Sequence, residues 1–190
     1  MINRIVIRIK VLQIVYAYYQ KNSNDLKSAE NELMRSLQHA YDLYHYLLVL
    51  IVLLTDMEQK RLDLYKHKYL PTNEELNPNM RLANNRLAEQ IRVNKSIEKF
   101  MNSKGTLWND EHSNFMKNLL TKITSSDIYK KYLDSEDNYD SDKEFWRKTF
   151  KNIIINDEEL REIVVDNSIY VDDDLDVVGT FVIKTIKRFD

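Results

Sequence analysis

Cysteine is absent from the chain, and glycine and proline occur only twice each. Without cysteine there is no disulfide, no thiolate nucleophile and no zinc–thiolate site. Two glycines cannot build a glycine-rich phosphate loop. The scarcity of both turn formers also argues against an all-β fold, which needs turn residues every few positions. Long apolar runs are missing too. The longest, Tyr46 to Leu54, falls well short of the ~20 residues that span a bilayer as a helix, and it reads as a buried core helix. No small-residue cleavage site follows the N-terminal basic residues, so no secretory signal is read there. A cytoplasmic protein with no membrane role is the expectation.

What is present suits a folded domain. The 190 residues fit one domain, or one domain with an appendage. Hydrophobic residues make up 43% and charged residues 31%, enough for a sizeable core. The net charge of −2 is unevenly spread. Residues 1–21 carry four basic and no acidic residues; residues 134–190 carry eight basic and sixteen acidic. The N-terminal part should attract polyanions, and the C-terminal part should repel them.

Periodicity predicts an all-α multi-helix bundle with a long central second helix. After a first helix from Met1 to Gln20, a second should start at Asn24 or Asp25. Its apolar positions run Leu26, Ala29, Leu33, Leu37, Ala40, Tyr44, Leu47, Ile51 and Leu54, in steps of three and four that only a helix produces. Leu70-Pro71 stops it, since the residue before proline resists the α region. A third helix is predicted from Met80 to Met101. Asn109 or Asp110 should cap a fourth to Thr124, and Ser125, Ser126 or Asp127 a short fifth through Leu133. The stretch DSEDNYDSD, residues 134–142, reads as a mobile linker. It would separate an N-terminal region, 1–133, from C-terminal helices, 143–190, expected at Lys143–Ile155, Asp157–Asp166 and Asp173–Arg188. Nothing polar ties off the last helix, which gives the look of a cut chain.

Catalytic and metal chemistry find little support. His39, His45, His67 and His112 form no i, i+4 pair and read as helix-surface residues. Asp172, Asp173, Asp174 and Asp176 fail as a calcium loop, because Val177 stands where glycine is required and Ile183 where glutamate is. They read instead as cap and first-turn acids of the last helix. No nucleophile–base set is visible. The chain is therefore not read as an enzyme, and no cofactor or metal is implied.

Two basic features remain. In the first helix Arg4 and Arg8 fall within the arc of Val11, Leu12, Val15, Tyr18 and Tyr19, and Lys10 follows. The arginines are either snorkelling at the border of a core stripe or facing an anion such as RNA phosphate. Tyr16, Tyr18 and Tyr19 could stack on unpaired bases, although core packing is the stronger reading for Tyr16 and Tyr19. On the third predicted helix Arg81, Arg92, Lys95 and Lys99 form a stripe of one sign, a solvated face or a continuation of the phosphate track.

The pattern Arg4-x-x-Ile7-Arg8-x-x-Val11-x-Gln13-x-Val15-Tyr16 resembles the first helix of the NusB family of bacterial transcription antitermination factors. There it reads R-x-x-A-R-x-x-A-x-Q-x-L-Y. The segments AYDLYHYLLVLIVLLTDMEQKRLDLYKHKYLPTNEELNPN, EFWRKTFKNIIINDEELREIV and TFVIKTIKRFD resemble an enlarged form of that family. The resemblance implies an all-helical fold and binding to boxA-like, chiefly single-stranded nascent RNA. It implies action with the ribosomal protein NusE at RNA polymerase, with Arg4 and Arg8 at the RNA. Gln13 and Tyr16 match motif positions of structural character. The family's C-terminal INEA-x-E-x-A-K and F-V-N-G-x-L-D segments have no counterpart here. A shortened chain should leave the apolar face of the last helix (Leu175, Val178, Phe181, Val182, Ile186 and Phe189) exposed, with homo-oligomerisation as the consequence. The competing reading is a helical protein–protein interaction module with no RNA role, in keeping with the near-neutral charge.

Overall fold

The computed structural model describes residues 4–21, 25–70, 72–168 and 174–189. Those residues are mostly helical and contain no strand. The helices are α1 (Arg4–Gln20), α2 (Leu26–Lys66), α3 (Asn73–Leu76), α4 (Arg86–Arg92), α5 (Lys95–Lys104), α6 (Ser113–Ser125), α7 (Asp127–Asp134), α8 (Tyr139–Thr149), α9 (Glu158–Asn167) and α10 (Asp174–Arg188). The expected all-α bundle with a long second helix is what forms.

α2 is the axis of the bundle. Asp25 caps it by accepting the N–H of Ser28 at 2.9 Å, as its acceptor chemistry favours. In its middle Leu47, Leu48, Val49, Leu50, Ile51 and Leu54 are all buried, on every side of the helix. A helix apolar all round must be surrounded. It is: α1, α4, α5, α6 and α10 all pack on it. α2 is long and apolar enough to cross a membrane, but 61% of its most apolar window is buried inside the fold. That burial is the environment of a core helix.

A second group of helices closes the core from the other side. Trp146 and Phe150 are completely buried, as are Leu175, Val182 and Ile186 of α10. α8 ends in a wide turn, Phe150–Ile154, in which Ile155 N–H reaches the Phe150 carbonyl at 3.1 Å. That turn brings Ile155 against Gly179 of α10, where an added Cβ would sit 2.7 Å from the isoleucine. Glycine here leaves room for the Ile155 side chain against α10, and a larger residue would force that side chain to shift.

Three expectations are corrected. The helix predicted over Met80–Met101 is two helices. Asn85 caps α4 through Ala88 N–H, and Asn94 caps α5 through Ser96 and Ile97 N–H, so the chain breaks at Val93. The apolar seam survives the break, with Leu87, Ile91 and Ile97 buried. The stretch 134–142 is not a free linker: α7 runs to Asp134, α8 begins at Tyr139, and Asp142 is buried. Its carboxylate accepts from the Tyr132 hydroxyl at 2.6 Å and from the Arg86 N–H at 3.1 Å. Finally, the apolar face of α10 is not left open. Leu175, Val178, Val182 and Ile186 are buried, and Phe181 and Phe189 pack on the core from partly buried positions. α10 docks on α2, α8 and the wide turn, with the Tyr44 hydroxyl 2.9 Å from that of Thr185.

Candidate nucleic-acid interface

α1 lies on α2, and its inward seam is short. Val6 and Lys10 are its buried residues, and Ile14, Ala17 and Tyr18 are half-buried. One helical turn separates Val6 from Lys10, and the same side continues through Ala17. The opposite side carries Arg4, Arg8, Val11, Leu12, Val15 and Tyr19, all exposed. Leu12 is 71% and Tyr19 74% exposed. The stripe that holds the arginines therefore faces outward. Snorkelling along a core-facing stripe does not describe these two residues, because their apolar neighbours are themselves in solvent.

Arg4 and Arg8 make no ion pair among the described residues. They stand in the first two turns of α1, whose first turn has no acidic residue. This is the positive end of the helix dipole, where cations are disfavoured and anions are stabilised. An arginine pair placed here gains little as a stabilising device and gains from an approaching anion. Tyr16, expected in the core, is 65% exposed and accepts from Gln20 at 2.9 Å. Tyr19, also expected in the core, meets Tyr18 edge-on at 5.8 Å. Core packing does not explain either Tyr16 or Tyr19.

Lys10 is elsewhere. It is 3% exposed, and its ammonium lies 2.8 Å from the Asp174 carboxylate at the start of α10. It joins two helices and is withdrawn from the surface. The stripe of Arg81, Arg92, Lys95 and Lys99 also divides. Arg81 donates to the carbonyls of Tyr132, Leu133, Ser135 and Glu136, capping the C-terminal end of α7, and stacks over the Tyr132 ring at 4.3 Å. Arg92 pairs with Asp56 of α2 and with Glu89 at 3.5 Å. Lys95 and Lys99 remain exposed, on a shallow face shared with Glu98, Asn102 and Ser103. They make no ion pair among the described residues. Arg81 lies in the turn before α4, and the break at Val93 separates Arg92 from Lys95 and Lys99, so one helical projection does not hold the four together.

His45 departs from the surface expectation. It is buried, stacks on Phe100 at 4.5 Å and bonds the Tyr41 carbonyl at 2.8 Å. Burial lowers its pKa, against the raising effect of that bond and of Asp42. Among the described residues no group of three histidine, aspartate or glutamate side chains could hold a metal ion. Asp172 and Asp173 lie outside the described residues.

The fold and this surface define an all-α protein with an outward basic and apolar helix face. No family model, curated protein or solved structure matches the chain.

Proposed function

We propose that this chain is an RNA-binding transcription antitermination factor of the NusB kind. In this reading it takes boxA-like single-stranded RNA on the outward face of α1 and acts with NusE at RNA polymerase, in the cytoplasm of a bacterium. The observation that supports it is the exposed pair Arg4 and Arg8, without an acidic partner among the described residues, at the positive end of α1 and in line with Tyr19. Guanidinium groups for phosphate and an exposed aromatic ring for an unpaired base are the parts a single-strand site uses. Lys10, Arg81 and Arg92 have structural partners and are left out of the site.

The test is a titration of a boxA-like RNA, against a scrambled control, at two salt concentrations. Arg4→Ala with Arg8→Ala is expected to weaken binding and to flatten the salt slope by about 1.4 units, as for two phosphates of a single strand. Because both heads are exposed, the thermal midpoint should barely move. Equal affinity in parent and double variant would remove RNA from this face. Lys95→Glu with Lys99→Glu is expected to reduce affinity less, with helicity unchanged; no reduction makes that face a solvated one.

A second reading, a helical interaction module without RNA, is favoured by the exposed apolar residues among the arginines, Val11, Leu12 and Val15. Its signature would be binding of a protein with little salt dependence.

A further inference from the structure

Most of the exposed large apolar side chains of the described residues lie on α1 and the N-terminal half of α2, while Leu64, Tyr69, Leu70, Leu76 and Val93 lie elsewhere. Beside the outward stripe of α1, a groove of about 400 Å³ runs between α1 and the start of α2. Val11, Val15 and Tyr19 belong to both, and Leu26, Ala29 and Leu33 form the α2 wall. The single acid on that wall is Glu30, which is exposed and makes no ion pair among the described residues.

We propose that a second copy of this chain docks here, α1 against α1, antiparallel about a two-fold axis passing between Val11 and Val15. Charge sets the direction. The arginines occupy one end of the stripe and Glu30 flanks the other. Parallel packing would bring four arginines together. Antiparallel packing about that axis sets Arg8 of one copy level with Tyr18 of the other, beside Glu30. The symmetry makes the pairing twice, as a two-fold interface requires. Area agrees. Ile5, Val11, Leu12, Val15, Tyr19 and Leu26 are 39% to 74% exposed. At about 150 Å² for an aliphatic and about 200 Å² for a tyrosine side chain, they offer on the order of 550 Å² per copy, which leaves the rest of the ~800 Å² of a standard interface to its polar rim.

This inference does not rest on RNA binding; docking draws Arg8 to Glu30 and away from any polyanion. Sedimentation of the full chain, from about one to a few hundred micromolar, tests it in the affinity range such an interface reaches. The parent should pass from monomer to dimer. Val15→Glu should keep it monomeric, with an unchanged circular dichroism spectrum. Glu30→Arg and Arg8→Glu should each weaken the dimer by about tenfold or more, and the two together should restore it, because the pair is reversed and not lost. A parent that stays monomeric throughout, a dimer indifferent to Val15→Glu, or a double variant no better than the singles would each overturn the proposal.

Discussion

Replacing Lys10 by methionine is expected to lower the stability of the chain by about 3 kcal/mol, the lower end of the usual cost of leaving a buried charge without its partner. Lys10 and Asp174 are both nearly inaccessible and stand 2.8 Å apart. Methionine fills the space of the lysine stem but leaves the Asp174 carboxylate without its ammonium. Asp174→Leu combined with Lys10→Met should recover most of the loss, because removing both charges also removes both desolvation penalties. Urea unfolding followed by circular dichroism reads both variants. A single variant as stable as the parent would mean that the pair is open in solution. The contact matters beyond its energy, since it fixes which side of α1 faces inward. With Lys10 held against α10, the arc of Arg4 and Arg8 must look out.

The second large effect is expected at Asp142. Its carboxylate serves three donors: the Tyr132 hydroxyl at 2.6 Å, the Arg86 backbone N–H at 3.1 Å and the Arg86 guanidinium at 3.1 Å. It thereby ties α8 to α7 and to the start of α4. Asp142→Ala should cost about 2 kcal/mol, since it strands the Arg86 backbone donor and leaves the Tyr132 hydroxyl only the longer 3.3 Å bond to the Arg81 carbonyl. Asp142→Asn keeps an acceptor and should cost roughly half as much. Burial, and then the hydrogen bond and charge of Asp142, raise the pKa of Tyr132, and burial pushes Tyr129 up to about 12. Both hydroxyls hold their protons more tightly folded than unfolded. Their contribution is whole below the ordinary tyrosine range near pH ~10 and is lost as pH rises beyond it. Alkaline titration of the melting temperature should show that fall. It should be smaller in Asp142→Ala, where one of the causes is gone. Equal curves for parent and variant would separate Tyr132 from Asp142.

The helical elements were largely legible. The three-four spacing of α2, its Asp25 cap and the caps of α7 and α9 at Ser126 and Asp157 all act within a few residues. Such signals are local, so a sequence carries them openly. The two helix starts of this region are legible as well, at Asn85 and Asn94, but the continuous apolar seam through Leu87, Ile91 and Ile97 outweighs two cap residues. The acidic stretch at 134–142 misled for a different reason. Its composition is that of a loop, while its role comes from Arg86 and Tyr132, which lie elsewhere in the chain.

The basic residues divide along the same line. The sequence by itself determined that the chain is all-α, that α2 is its axis, and that positive charge collects near the N-terminus. It could not sort the cations. Lys10, Arg81 and Arg92 are occupied by Asp174, by the end of α7 and by Asp56, whereas Arg4, Arg8, Lys95 and Lys99 are not occupied by any described residue. Nor could it choose the inward face of α1, where Ile5, Val6, Ile7, Ile9, Val11, Leu12, Ile14 and Val15 leave almost no polar side. A helix apolar in every direction has no period strong enough to orient it. Only the tertiary structure decided, because the choice depends on a carboxylate at the far end of the chain, and a contact between residues so distant leaves no mark on the local pattern of either.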